Sequence, residues 1–206
     1  GKLGFPPVSG KRWAFVAAVY DEKAKTVMLY VDGESWSATA EMGGAEEEGA
    51  SMQLYIGSNG TTGCGFRGYV DDVFVYADAL STDDLDFLRR SVPVAATPVA
   101  GSGGYALSLL GSSRRFMSVS ETSAFWGAQS PFTISWWMEP RPPPSSGSSE
   151  MVVLYKAGSQ PKSPDLSVSL LQSSSGGGSG TSQLRVRLAG TSRSLDAVLS
   201  LSRLYA

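Results

Sequence analysis

The sequence contains no histidine and only one cysteine, Cys64. Without histidine, the chain cannot use a histidine acid or base, a nucleophile pair that depends on histidine, or a zinc site with histidine ligands. One cysteine cannot form a disulfide within the chain, so cysteine usage does not indicate a redox compartment. Cys64 lies between Gly63 and Gly65, which is typical of a small residue in a turn.

Charge is also scarce, since charged residues make up 17% of the 206 residues and the formal net charge is −2. This balance gives no electrostatic reason to expect nucleic acid or an anionic membrane surface as a partner. No apolar run approaches the roughly 20 residues of a membrane-spanning helix, so we expect no membrane insertion of these residues. The first residues carry neither an initiator methionine nor a signal peptide, and we expect the chain to be part of a longer protein.

Turn-forming residues are abundant, with 24 glycines and 11 prolines. Short apolar and β-branched segments lie between them at intervals of roughly 8–12 residues, which is typical of a sandwich or barrel. We therefore predict an all-β fold. The predicted strands cover residues 13–20, 26–31, 53–57, 69–76, 105–109, 115–119, 132–140, 151–155, 166–171, 184–188 and 195–201, and residues 36–40 are expected to pair as a further strand.

Two short motifs predict a specific local structure, one a tight turn and the other the start of a helix. Asp32-Gly33 is a tight-turn dipeptide that accommodates positive φ. Residues 81–84 are typical of a helix N-cap with an acidic first turn, and the arginine pair at 89–90 suits the end of a helix. We predict one short helix near residues 81–90.

Five segments in the first half follow one another in the order and spacing of one known family. They are Trp13 with Phe15-Val16-Ala17, Leu29-Tyr30-Val31-Asp32-Gly33, Leu54-Tyr55-Ile56-Gly57, Phe66 to Val73, and Ala79-Leu80-Ser81 with Leu85. Together they resemble the C-terminal half of a laminin-G-like domain, the jelly roll shared with concanavalin A-like lectins and glucanases. The resemblance implies an antiparallel β-sandwich.

The second half resembles the N-terminal half of the same domain. The matching segments are Tyr105-Ala106-Leu107 with Phe116 to Val119, Gly111, Pro131 to Trp137, and Val153 to Lys156. We divide the chain into residues 1–91 as a C-terminal half, 92–104 as a linker, and 105–206 as an N-terminal half. Either the chain spans parts of two tandem domains, or the halves complete one composite sandwich. Contact between them is favoured because half a sandwich leaves a sheet face and several edges bare.

The sequence offers no catalytic residues for a glycosidase. Glucanases of this fold use carboxylates near Glu-x-Asp-x-x-Glu on one strand, a spacing that is absent here. Asp71 and Asp72 are adjacent, so on a regular strand they point to opposite faces and cannot act as a pair. Either backbone donors or arginine satisfy Asp71 and Asp72, or one of them is a calcium ligand together with Asp32 or a loop carbonyl. Laminin-G-like domains do carry calcium sites at their rims, so the resemblance implies calcium as a possible cofactor.

Several tryptophans could stack on a sugar ring or pack in the core. Trp36 and Trp126 are the candidate ligand contacts. We expect Trp13 in the core together with at most one of Trp136 and Trp137, because adjacent strand residues face opposite sides. Independently, Asn59-Gly60-Thr61 matches the N-glycosylation pattern, which applies if the chain is secreted.

These observations predict a non-enzymatic adhesion or scaffold module of a larger protein, extracellular or at the cell surface, with protein or glycan partners. The alternative is a calcium-dependent carbohydrate-binding lectin domain. A glycosidase has only the fold in its favour, and a fold does not carry a function.

Overall fold

The computed structural model describes residues 13–39, 52–58, 65–91, 106–111, 116–121, 131–141, 150–157, 164–172, 182–188 and 194–199. Within these ranges it has twelve strands and one helix. The strands are β1 (Ala14–Asp21), β2 (Thr26–Val31), β3 (Glu34–Thr39), β4 (Met52–Ile56), β5 (Arg67–Tyr76), β6 (Leu107–Leu110), β7 (Met117–Glu121), β8 (Phe132–Pro140), β9 (Glu150–Ala157), β10 (Pro164–Gln172), β11 (Ser182–Leu188) and β12 (Ser194–Leu199), and the helix is α1 (Thr82–Ser91). The predicted all-β fold with one short helix is confirmed.

The strands form two six-stranded sheets that pack as an antiparallel sandwich. The first sheet has the order β3-β2-β1-β8-β5-β6, and the second has the order β12-β11-β10-β9-β4-β7. Each sheet contains strands from both halves of the sequence, since β8 lies between β1 and β5, and β4 lies between β9 and β7. The two halves are therefore in contact, while the domain boundaries at 91 and 105 stay a prediction.

Strand β1 is buried on both of its faces. Ala14, Val16, Ala18 and Tyr20 belong to the large apolar cluster between the sheets. Phe15, Ala17 and Val19 belong to a second cluster, which contains Leu85 of α1. Because consecutive strand residues face opposite sides, the apolar run of β1 serves the inter-sheet core and the helix at once. The sequence predicted this run as a strand that is apolar on both faces.

Helix α1 begins with a reciprocal cap. The backbone N–H of Ser81 donates to Oδ2 of Asp84 at 3.1 Å, and the backbone N–H of Asp84 donates to Oγ of Ser81 at 3.2 Å. This is the capping-box arrangement with aspartate in the place of glutamate, and it satisfies two N–H groups at the helix start. The hydrogen bonds from Ser81 also lower the pKa of Asp84. The predicted helix start is confirmed.

The prediction that at most one tryptophan of the adjacent pair is in the core was wrong. Trp136 and Trp137 do face opposite sides of β8, yet both are buried. Trp136 packs between the sheets, and Trp137 packs under α1, where its ring lies 5.3 Å from that of Phe15. The helix covers the outer face of β1 and β8, so this sheet has two buried faces there. Trp13 is half-buried and packs against the same cluster as Trp137.

A polar contact fastens α1 to β2. The buried Tyr30 donates its hydroxyl hydrogen to Asp86, which also accepts from Nη2 of Arg89 at 3.0 Å. Burial, followed by the bond to Asp86, raises the pKa of Tyr30 to about 12 from 10.0. The same bond, helped by Arg89 and Arg90, lowers the pKa of Asp86.

This contact predicts a loss of stability at alkaline pH. The native state keeps the Tyr30 proton more tightly than the unfolded chain does, so its contribution is complete below pH 10.0 and is lost as the pH rises toward about 12. We expect Tyr30→Phe to cost about 1 kcal/mol at pH 7 and to flatten the alkaline fall. Urea unfolding across this pH range measures both effects. Tyr76→Phe is the control, and an equally steep fall in Tyr30→Phe would contradict the assignment.

Candidate binding surface

One line of residues crosses the outer face of the second sheet. Tyr55 of β4 lies opposite Tyr155 of β9, Tyr155 lies opposite Ser167 of β10, and Ser167 lies opposite Arg187 of β11. Their neighbours along the strands, such as Leu54 and Leu166, belong to the core between the sheets. Because directly opposed residues share a face and consecutive residues alternate, this line points away from the core.

The line extends to Phe116, which directly precedes β7. The rings of Phe116 and Tyr55 are 5.4 Å apart, and those of Tyr55 and Tyr155 are 5.9 Å apart. In both pairs the two ring planes are inclined to each other at close to 60°, a favourable arrangement for aromatic neighbours. Phe116 and Arg187 are exposed, the two tyrosines are half-buried, and Ser167 is buried. We call Phe116, Tyr55, Tyr155, Ser167 and Arg187 the aromatic row.

The aromatic row combines apolar ring surface with hydrogen-bonding groups. Tyrosine presents an apolar body and a polar hydroxyl tip, a combination that is enriched at binding interfaces. Arg187 adds planar donors that suit carboxylate or other oxygen acceptors. Because strands β4, β9, β10 and β11 hold the other four members, their positions are fixed by the backbone ladder and need little ordering when a ligand binds. A partner with a flat apolar face and several oxygen atoms fits this chemistry.

A second aromatic cluster lies on the first sheet. The rings of Trp13 and Tyr69 are 6.4 Å apart, and the guanidinium carbon of Arg141 lies 4.5 Å from the centre of the Tyr69 ring. Arg141 also donates from Nη2 to the Tyr69 hydroxyl at 2.9 Å. All three residues are half-buried and already engage one another. This cluster is therefore better suited to holding β5 against its neighbours than to receiving a ligand.

The adjacent carboxylates lie at an irregularity in β5. The register passes from Asp71 opposite Trp137 to Phe74 opposite Ser135, which leaves one extra residue on β5 and forms a β-bulge. Asp72 has a φ of 48°, and its N–H donates to Oδ1 of Asp71 at 2.9 Å. The argument that the two carboxylates face opposite sides assumed a regular strand, and the bulge removes that assumption.

Asp32 lies far from this bulge along the first sheet. The backbone N–H of Asp32 donates to the backbone O of Phe15 at 3.0 Å. The backbone N–H of Phe15 donates to Oδ1 of Asp32, also at 3.0 Å. Phe15 lies opposite Trp137, which lies opposite Asp71, so three inter-strand steps of about 4.8 Å separate Asp32 from Asp71 by about 14 Å. Calcium binds its oxygens at about 2.3–2.6 Å, so the three predicted carboxylates do not fit one ion as a set. Across the ranges given above, no three His, Cys, Asp or Glu side chains form a metal-binding group.

The remaining predicted site residues have different outcomes. Trp36 lies opposite Leu29 and packs half-buried against the core between the sheets, so it is not part of the aromatic row. Trp126, Asn59 and Cys64 lie outside the described residues. The ligand, calcium and glycosylation assignments therefore stay predictions.

Sequence reasoning missed the aromatic row, although a signal for it was present. Tyr55 sits between Leu54 and Ile56, and Tyr155 sits between Leu154 and Lys156. Leu54, Ile56 and Leu154 all belong to the inter-sheet cluster. The alternation thus marked Tyr55 as outward-facing, whereas Tyr155 follows a continuous apolar run, residues 151–154, and its direction could not be read from the pattern. Their meeting depends on the pairing of β4 with β9, which lie about a hundred residues apart in the chain and whose register no local pattern reveals.

The family model for the concanavalin A-like lectin/glucanases superfamily matches residues 4–86. The match confirms the family resemblance found in the first half, and it covers less than half of the 206 residues. No curated protein and no solved structure matches the chain. The one helix among the described residues is too short and too polar to cross a membrane.

Proposed function

We propose, from the match of residues 4–86 to the concanavalin A-like lectin/glucanases superfamily, that this chain is a non-enzymatic binding module of a larger extracellular or cell-surface protein. Its role is adhesion or scaffolding through protein or glycan partners. The observation that carries the proposal is the aromatic row on the outer face of the second sheet, with rings 5.4 and 5.9 Å apart.

The choice of binding over catalysis rests on the side chains that the sequence supplies. It has no histidine, and it lacks the strand-borne carboxylate spacing of the glucanases with this fold. Glycoside hydrolysis normally needs two carboxyl groups flanking the scissile bond, one of them a general acid. The aromatic row contains no carboxylate, so a glycan held on it meets no acid and no nucleophile from the row itself.

The composition of the row supports a glycan as one class of partner. A pyranose ring has a flat face of C–H groups and a rim of hydroxyls. The ring surfaces of Tyr55 and Tyr155 match the face, while the tyrosine hydroxyls and Arg187 match the rim. A peptide segment with an aromatic or carboxylate side chain satisfies the same groups, so the experiment must include both classes.

We expect Tyr155→Ala, and likewise Tyr55→Ala, to weaken binding of glycans on an array about tenfold or more, because each removes a ring from the centre of the row. Phe87→Ala is the matched control, since Phe87 is an exposed aromatic on α1, away from the row. Circular dichroism and the urea midpoint check that each variant is folded. Binding that tolerates both tyrosine substitutions would overturn the assignment of the surface.

The array is run with added calcium and again with chelator. The separation of Asp32 from Asp71 supports binding that persists in chelator. A signal abolished by chelator, and by Asp71→Asn, would instead identify the calcium-dependent lectin. A blank array, followed by capture of a protein partner that Tyr155→Ala abolishes, keeps the module and replaces the glycan with a protein. Release of a shortened glycan from the protein would contradict the non-enzymatic role.

A further inference from the structure

The outer face of the first sheet is covered unevenly. Helix α1 closes over β8, where Trp137 is 1% exposed. Ser135 and Thr133 share the face of Trp137, because they lie two and four residues before it on the same strand. On β5, Phe74 lies opposite Ser135 and is 47% exposed. Tyr76 lies opposite Thr133, and its ring is 6.4 Å from that of Phe74, so this end of β5 carries aromatic side chains that the helix leaves uncovered.

One flank of α1 faces the same region. Leu85 is buried under the helix, and Asp86 accepts the hydroxyl hydrogen of Tyr30, so the flank that carries Asp86 faces β2. With 3.6 residues per turn, Asp84 and Phe87 lie on the opposite flank. In the sheet order, β5 and β2 lie on opposite sides of β1 and β8, so this second flank is the one toward β5. Phe87 is 69% exposed there.

The connection between β5 and α1 is fixed to the sheet. The backbone N–H of Leu80 donates to Oγ1 of Thr133 at 3.0 Å, and the Thr133 hydroxyl donates to the backbone O of Asp78 at 2.7 Å. Since Thr133 lies opposite Tyr76, these bonds hold the start of the helix beside the end of β5. We call Phe74, Tyr76 and Phe87 the open aromatic surface.

The open aromatic surface has an acidic border. Residues 71–87, which contain all three rings, include six aspartates and neither lysine nor arginine. Asp78 follows the β5 rings by two residues, and Asp83 lies one helical turn before Phe87, where residues four apart are neighbours. Asp78, Asp83 and Asp84 are all exposed. A cationic group that approaches the rings therefore meets carboxylates at their edge.

The basic residues of β5 and α1 lie elsewhere. Arg67 begins β5, and Arg141 directly follows β8, so both lie at the end of β5 away from the open aromatic surface. Arg89 and Arg90 both pair with Asp86, on the flank that faces β2. The acidic border is thus not neutralised by the arginines of these elements.

A buried hydroxyl lies beside the open aromatic surface. Ser135 is 1% exposed, and its Oγ makes no hydrogen bond within the part of the chain that the structure describes. It lies on the outer face of β8, directly opposite Phe74. A buried polar group without a partner is costly, so a ligand that brings an N–H donor beside the Phe74 ring gains from satisfying it.

We propose that the open aromatic surface, with Asp78 and Asp83 at its border, docks an arginine- and lysine-rich segment of a partner protein. A guanidinium or ammonium group is attracted to an aromatic face, and arginine also stacks on it. The aspartates supply the opposite charge and accept the hydrogen bonds of the cation. An acidic segment is repelled by the same border, and an uncharged one gains nothing from it, so charge complementarity selects the basic partner.

This proposal does not rest on the proposed function. The open aromatic surface lies on the outer face of the first sheet, and the aromatic row lies on the outer face of the second. One module can therefore hold a basic protein segment on one side while the aromatic row binds its ligand on the other. Variants of the two surfaces also serve as controls for each other.

Fluorescence anisotropy of a labelled oligoarginine peptide, titrated with the whole chain, tests the docking. We expect saturable binding with a Kd below about 100 μM at low salt, which weakens as salt is added, and no binding of an oligoglutamate peptide. The double variant Phe74→Ala with Phe87→Ala keeps every charge and is expected to weaken binding about tenfold. Asp83→Asn is expected to weaken it about threefold. Glu34→Gln on β3 makes the same change in net charge as Asp83→Asn and is expected to leave binding unchanged.

Four results would overturn the proposal. One is the absence of saturable binding by the oligoarginine peptide. Another is equal weakening by Glu34→Gln and Asp83→Asn, which would mean that only net charge matters. Loss of binding in Phe116→Ala would place the peptide on the aromatic row. Sedimentation velocity without peptide that shows a dimer, lost in Phe74→Ala, would identify a second copy of the chain as the occupant. Circular dichroism and the urea midpoint check that each variant is folded.

Discussion

Residues 1–91, produced without the rest of the chain, are expected to be unfolded. Strand β8 lies between β1 and β5 in the middle of the first sheet. Its removal takes from β1 and β5 the strand that joins them. It also removes Trp136 and Trp137, the two largest buried side chains in the described part of the chain. In the second sheet, β4 loses β9 and β7 together. The free energy of unfolding of an ordinary domain is only about 5–15 kcal/mol, which losses of this size exceed.

The second fragment, residues 105–206, is expected to fail in the same way, because β8 loses β1 and β5. Mixing the two fragments is expected to restore the amide chemical-shift dispersion of the intact chain, since the missing strands of each are those of the other. The control is the full chain cut by a protease at a site inserted between residues 92 and 104, which should stay folded. A cooperative unfolding transition in 1–91 alone would contradict the composite sandwich and favour two tandem domains.

The parts of the fold that could be predicted are those that local chemistry determines. The Asp32-Gly33 turn has φ values of 51° and 107°, as its sequence indicates, and joins β2 to β3 with two residues. Helix α1 begins at the predicted cap. These features depend on contacts within a few residues, so a short stretch of sequence contains all the information needed.

The features that escaped prediction depend on strand pairing at long range. The insertion of β8 between β1 and β5 decides which residues of the first sheet lie opposite one another. It also places Trp137 on the sheet face that helix α1 covers. The bulge at Asp72 follows from fitting β5 to β8, so a regular strand was the natural expectation. The candidate site has the same origin, since its residues come from separate strands. For this reason the sequence singled out isolated tryptophans instead of the aromatic row.

Gly68 sits where β5 passes β8, and Gly68→Ala is expected to be severely destabilising. Its φ is +148°, a conformation that residues with a Cβ rarely adopt. A Cβ built at this position would lie 2.2 Å from the carbonyl oxygen of Glu139 and 3.0 Å from the Phe66 ring. The carbonyl belongs to backbone that is paired within the sheet, so it cannot move without breaking the β5–β8 ladder. We expect a loss of about 3 kcal/mol or more in the free energy of unfolding.

Gly33→Ala separates the two causes in this prediction. Gly33 also has a positive φ, +107°, but the nearest atoms to its added Cβ belong to the flexible Arg89 side chain at 3.7 Å. It therefore carries the conformational strain without the backbone collision, and we expect a loss of about 1 kcal/mol. Urea unfolding of both variants at one pH measures the difference. Equal losses would mean that conformational strain alone accounts for Gly68, and that β5 can shift away from Glu139 at little cost.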